Sequence, residues 1–309
     1  MTNMPSHYGA YAVPKTIRKL LELEQELTVL GLSLDRAFPF MLLEHDFRYH
    51  TTPIDVIPLA STGMDGIHYA FLTDFGRVSD LEQAWIVTVS PMDSDRPVWP
   101  VAANLREFLQ AAYTDADALI NNFDTGESYR EYVRTRNPVE RDEQEQLVRE
   151  QLVQRFGIKP IADMGQYLDD LRVRRAAEAV LPTEDRLGVV PINPDHGNTC
   201  AAVIPSIDRD FDWEERRNEI ERFWQQASAD SKRIFLRHAQ LHSIFQFHDC
   251  LNWFCERLEE EGMQEYAKNL MDSFGYFEYE ETSDAAESIT EGLMWDTLQI
   301  EDQDEKSKK

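Results

Sequence analysis

Apolar positions along the first third of the chain switch between two periods. Ile17, Leu20, Leu21, Leu27 and Leu30 recur near the helical repeat, which predicts an amphipathic helix over Lys15 to Leu30. Gly31 follows where a left-handed cap would close that helix. After His50 the texture turns strand-like. Ile54 to Leu59 is a short strand-forming run, in which Pro58 marks an edge or a strand end. Gly63-Met64-Asp65-Gly66 carries the glycines and the aspartate of a tight connection. Ile67, Tyr69 and Phe71 then alternate with His68, Ala70 and Leu72, a period of two and therefore a strand. Trp85 to Val89 is β-branched and aromatic, the clearest strand signal in the chain. Pro91 to Pro97 reads as a turn and Val98-Trp99 as a last short strand. Ala102, Leu105, Phe108, Leu109 and Ala112 return to helical spacing.

Beyond about residue 115 the pattern is mostly helical. Asn137-Pro138-Val139-Glu140 offers a cap, a proline at the first helical position and an acid at the third, so a helix is expected from there to Gly157. Another is expected from Asp163 to Leu181, stopped by Pro182. Leu187 to Ile192 and Thr199 to Ile204 read as a hairpin around Asn193 to Asn198. Phe211 to Gly275 is helical almost throughout, with breaks near Ala227 to Asp230 and near Gly262. Residues 278–309 hold 11 acids and 3 lysines, a net charge of −8, and read as a solvated acidic tail. The expected organisation is α+β: a twisted sheet packed with helices over 1–115, a mostly helical domain over 116–277, and the tail over 278–309.

Composition narrows the function classes. The 309 residues include 16 Phe, 11 Tyr and 6 Trp, enough for a sizeable core. The 57 acids against 31 Lys and Arg give −26, so the chain as a whole is not expected to hold a phosphate backbone or an anionic membrane. A chain this acidic is expected to attract basic partners. Three cysteines cannot all pair, and Cys250 and Cys255 do not form a C-x-x-C, which fits a reducing compartment. The N-terminal residues lack a signal-peptide pattern, and no run of about 18 apolar residues predicts a membrane helix. A cytoplasmic location is therefore expected.

No constellation points to catalysis. His238 and His242 are four apart, as helical zinc ligands can be, but Ala239 stands where the general base of H-E-x-x-H belongs. Asp249 lies about 10 Å further along a continuous helix, too far to complete the site. His248 falls in the stripe Leu241, Ile244, Leu251, Cys255, Leu258 and reads as partly buried in a helical core. Asp74-Phe75-Gly76 matches the kinase metal-binding tripeptide, yet the Gly-rich loop and H-R-D are missing. Pro194 to Asn198, with His196, has the residue types of an ordinary hairpin loop. No cofactor and no metal is expected.

The stretch Ile54 to Tyr113 resembles the SUKH superfamily, the fold shared by a fungal cell-wall regulator and many bacterial toxin-immunity proteins. The resemblance rests on order. Ile57 to Ala60 leads through Ser61 to Gly66 to the aromatic strand Ile67 to Phe71, then to Trp85 to Val89. The acidic turn Asp93 to Asp95 and the segment Val101 to Leu109 follow, and Lys15 to Leu30 fits the N-terminal helix. Ala37-Phe38-Pro39-Phe40 is a loose match to the family's Leu-Pro-aromatic motif, and no Asn-Gly follows it. The residues beyond Tyr113 have no counterpart in the basic fold.

The resemblance implies an α+β binding domain without catalysis, often one that blocks a nuclease. The acidity of the chain agrees, because a nuclease site is basic. The contact residues expected are Asp65, Asp93 and Asp95 on turns, with Trp99 as an aromatic anchor and Gly63 and Gly66 shaping the first turn. Two alternatives stand beside this reading: a scaffold acting through the helical half, and a hydrolase or metal enzyme using His238, His242 or His196.

Overall fold

The computed structural model describes residues 7–37, 39–93, 95–137, 140–192, 203–208 and 210–274. Five strands form one antiparallel sheet in sequence order: β1 (Met41–Leu42), β2 (Val56–Ser61), β3 (His68–Leu72), β4 (Trp85–Val89) and β5 (Val98–Ala102). The described residues also form ten α-helices: α1 (Lys15–Val29), α2 (Leu105–Thr114), α3 (Asp117–Ile120), α4 (Gly126–Thr135), α5 (Glu143–Phe156), α6 (Met164–Glu178), α7 (Trp213–Gln226), α8 (Ala229–Leu241), α9 (His248–Glu260) and α10 (Gln264–Phe274). The architecture is α+β, with the sheet in the N-terminal half and most helices after it. Among the described residues no helix is long and apolar enough to cross a membrane.

Helix α1 ends in a Schellman motif. The Gly31 N–H donates to the Thr28 carbonyl at 3.0 Å and the Leu32 N–H to that of Leu27 at 2.9 Å, which occupies two carbonyls left open at the helix end. Its buried face is Ile17, Leu20, Leu23 and Leu27, whereas Leu30 is exposed. Pro58 lies beside a bulge at Leu59, where the β2–β3 register shifts. That is one of the few sheet positions that tolerate a proline.

Both faces of the sheet are covered. Ile57, Leu59, Tyr69, Phe71, Ile86 and Val101 share a core with α1 and α2, and with Val148, Leu152, Met164 and Leu168 of α5 and α6. Val56, Ala70, Leu72, Val87 and Val89 point the other way, toward Leu171 and Leu187. The near-continuous apolar texture of β3 and β4 follows from this double burial. Core packing therefore runs across residue 115. A second core, built on Trp213, Phe223, Trp224, Phe235, Phe245 and Phe254, gathers α7 to α10 and takes in Ile54 and Phe75 from the sheet half.

Three expectations change. Helix α5 begins at Glu143 rather than near Pro138: Asp142 caps it by accepting the Glu145 N–H at 2.8 Å, and Glu143 and Glu145 suit its positive end. The strand expected at Leu187 to Ile192 pairs elsewhere, Val189 with Leu181, after Gly188 turns the chain at φ +66°. The hairpin loop with His196, and most of the opposing strand, lie outside the described residues, as does the 278–309 tail. Finally, the helix carrying His238 stops at Leu241. Ser243 then adopts φ +54°, so the apolar stripe does not run on to His248, whose side chain is 56% exposed at the start of α9.

Candidate functional site

The sheet topology brings two connections to one end. Ser61 pairs with His68, His68 with Val89, and Val89 with Val98, so the 62–67 turn and the 90–97 turn emerge side by side. In the first, the Thr62 N–H donates to the Ile67 carbonyl at 3.0 Å and the Ile67 N–H to that of Met64 at 2.8 Å. Gly63 (φ +75°), Asp65 (φ +49°) and Gly66 (φ +68°) all lie in the left-handed region.

This turn is fastened to the interior through His68, which is fully buried. Its Nδ1 lies 2.8 Å from the Gly66 carbonyl, which fixes Nδ1 as the protonated nitrogen. Its Nε2 then accepts from the Thr52 hydroxyl at 3.2 Å, and that hydroxyl oxygen accepts the Tyr49 N–H at 2.9 Å. Burial, with a smaller push from Arg48 and against the Gly66 hydrogen bond and a pull from Asp46, lowers His68 to about 4.

The two glycines differ in what surrounds them. A Cβ on Gly63 would meet only the flexible end of Met41, whereas one on Gly66 would come within 2.5–2.7 Å of the Tyr49 ring and hydroxyl. Gly66→Val is therefore expected to destabilise the chain by about 1–3 kcal/mol, and Gly63→Val by less. Urea unfolding of the two variants checks the order, and an unchanged midpoint for Gly66→Val contradicts the geometry.

The sequence-predicted contact residues part company here. Asp65 and Asp95 are exposed and Asp93 is half-buried. None of the three forms an ion pair among the described residues. Trp99 is not an exposed anchor: it is 9% exposed, and its Nε1–H donates to the Leu119 carbonyl at 3.2 Å inside the core. The exposed large apolar side chains at this end are methionines. Met64 is 48%, Met92 80% and Met41 40% exposed, and all three belong to this end of the sheet. A sequence signal for them exists, because each turn contains the dipeptide Met-Asp, Met64-Asp65 and Met92-Asp93.

An open cleft of about 930 Å³ begins at Thr62, Gly63 and Met64 and continues past Met41 to Tyr113 and Arg136. Its far wall holds one guanidinium between two carboxylates. Arg136 donates to Asp115 at 2.8 and 3.0 Å and to Asp117 at 2.6 Å, while Tyr129 and Tyr132 donate to the same two carboxylates at 2.6 and 2.8 Å. The Arg149 guanidinium stacks 4.0 Å from the centre of the Tyr113 ring.

Of the remaining chemical candidates, His238, His242 and Asp74 have partners within the fold. His238 and His242 both reach Glu184, at 3.5 and 2.6 Å, and no group of three or more His, Cys, Asp or Glu suited to a metal occurs among the described residues. His248 and Asp249 belong to the next helix. Cys250 and Cys255 are buried, and burial pushes the Cys255 thiol up to about 12, the opposite of an activated nucleophile. Asp74, Phe75 and Gly76 form a left-handed run, with φ +49°, +54° and +80°. Asp74 accepts two hydrogen bonds from Arg175 at 2.9 and 2.6 Å, so the kinase-like tripeptide is part of a buried ion pair.

No protein-family model matches the chain, and no curated protein or solved structure matches it significantly.

Proposed function

We propose that this chain is a non-catalytic binding protein whose contact surface is the end of the sheet bearing the 62–67 and 90–97 turns, and that its partner is a basic protein. The observation that carries the reading is the repeated pair: two adjacent turns each present an exposed methionine beside a carboxylate that forms no ion pair among the described residues. Methionine is unbranched and polarisable, so it conforms to a partner's apolar surface at little cost. The carboxylates form a rim that attracts and orients a cationic partner during encounter. The net charge of −26 extends that field over the whole chain. Neutralisation of a basic, nuclease-type toxin, the role implied by the SUKH resemblance, is the specific form of this proposal.

The test is capture from the native host on the immobilised chain, with Met64→Ser/Met92→Ser as the control. Both side chains are exposed, so the variant is expected to fold as the parent does. Recovery of a basic protein by the parent and its loss from the variant is the expected outcome. Equal recovery by both moves the contact surface away from this end of the sheet.

A further inference from the structure

A second concavity, of about 400 Å³, lies between the β5 edge, the 121–125 connection and α6. In a chain where acids outnumber bases nearly two to one, its charge is reversed. Arg96, Arg172 and Arg186 line it, and the carboxylate they share is Asp124. Arg96 is hydrogen-bonded to Asp124, and Arg172 to the Phe123 carbonyl. Arg172 also reaches Asp169 outside the pocket at 3.3 Å. Arg175 and Asp185 contribute to the wall but are committed elsewhere, Arg175 to Asp74 and Asp185 to Arg237. The edges of Trp99 and Phe123 supply an apolar, aromatic side. Asp124 sits on the rim with its side chain 66% exposed, where the Arg96 hydrogen bond and charge first, then the more distant Arg186 and Arg172, hold its carboxyl below the ordinary range.

The arginine rim is built rather than incidental. Arg186 sits at φ +63°, a conformation that disfavours a bulky residue. A knot of local hydrogen bonds imposes it. The Arg186 N–H donates to the Thr183 carbonyl at 3.0 Å, Leu187 N–H to Asp185 at 3.0 Å, and Gly188 N–H to the Thr183 hydroxyl at 2.8 Å. Asp185 is held in turn by Arg237 at 3.2 Å. The loop is thus anchored to α8 and presents Arg186 at the pocket mouth with no carboxylate within ion-pair distance among the described residues.

We propose that this pocket binds a small organic anion, a phosphate or carboxylate carried on a planar ring, with Arg96, Arg172 and Arg186 taking the oxyanion in place of Asp124 and the ring lying against Trp99 and Phe123. The volume is in the range of small-molecule sites, and guanidinium groups are suited to planar oxyanions. The inference rests on other side chains than the protein-binding reading, because none of Met64, Met92, Asp65, Asp93 or Asp95 lines this pocket, although Arg96 belongs to the 90–97 turn.

Thermal unfolding of the full chain with adenosine monophosphate, benzoate or adenosine tests it. The first two probes distinguish a phosphate from a carboxylate ligand, and the third carries a ring without the anion. A saturable rise in Tm with adenosine monophosphate or benzoate, and none with adenosine, is expected. Arg96→Ala/Arg186→Ala removes two rim side chains and should abolish the rise while leaving the ligand-free Tm close to the parent's. Asp124→Asn removes the internal competitor and should tighten binding about ten-fold. Absence of saturable stabilisation by both anions at millimolar concentration overturns the proposal. So does an equal effect of adenosine, or an unchanged response in the double-arginine variant.

Discussion

Arg237→Leu is expected to lower the unfolding free energy by about 3–5 kcal/mol. The Arg237 side chain is 2% exposed and that of Asp55 1%, and they meet at 2.8 Å, with Asp185 at 3.2 Å on the other nitrogen. The same guanidinium lies 5.4 Å from the centre of the Phe75 ring. Leucine fills part of the volume but leaves two carboxylates facing a low-dielectric interior without their cation. Burial already raises the Asp55 carboxyl against the opposing pull of Arg237, so losing Arg237 drives it further toward the neutral form. Desolvation rather than lost attraction sets the size of the effect. Replacing both partners, Asp55→Asn with Arg237→Met, should therefore recover part of the loss. Urea denaturation of the three proteins measures both steps. A single variant as stable as the parent contradicts the buried pairing.

The second large effect is a pH dependence centred on His68. In the folded chain its pKa is lowered from 6.5 to about 4 by burial. As pH falls, the unfolded chain binds this proton first, so protonation favours unfolding. The stability is fully present above about pH 6.5, is lost progressively on descending to about pH 4, and changes little from this group below that. The displacement corresponds to about 3 kcal/mol across the window. Carboxylates contribute their own slopes, so the measurement is the difference between the parent and His68→Gln. The parent is expected to lose about 3 kcal/mol more than the variant between pH 6.5 and pH 4. Parallel profiles would mean that His68 is not held neutral.

Local chemistry made some elements readable. Trp85 to Val89 was legible to the residue, because a β-branched and aromatic run has few other homes. Gly31 and Gly157 ended their helices in left-handed caps at φ +71° and +60°. Helix α5 was misplaced at its start because two capping signatures compete within six residues, and Asp142 with Glu145 prevails over Asn137 with Glu140.

What tertiary packing decides was out of reach. Arg175 and Asp74 are 101 residues apart, Arg237 and Asp55 182. Among 57 acids nothing in the sequence marks those two aspartates as buried. Trp99 failed as an anchor because an aromatic in a strand beside a turn satisfies an interface and a core equally well. The methionines were readable in principle: a large apolar residue next to an aspartate inside a turn has little chance of burial, and Met64 and Met92 both fit that description.

Association kinetics of the captured partner test the binding account most directly. Surface charges separated by more than a Debye length of about 8 Å are screened at physiological ionic strength, so steering weakens as salt rises. The association rate is expected to fall steeply with salt for the parent. It should fall at low salt on Asp65→Lys/Asp93→Lys/Asp95→Lys, with a smaller change in dissociation, because rim charges act on encounter. A partner that associates equally fast at low and high salt, and with the reversed variant as with the parent, would contradict the proposal that these two turns form the contact surface.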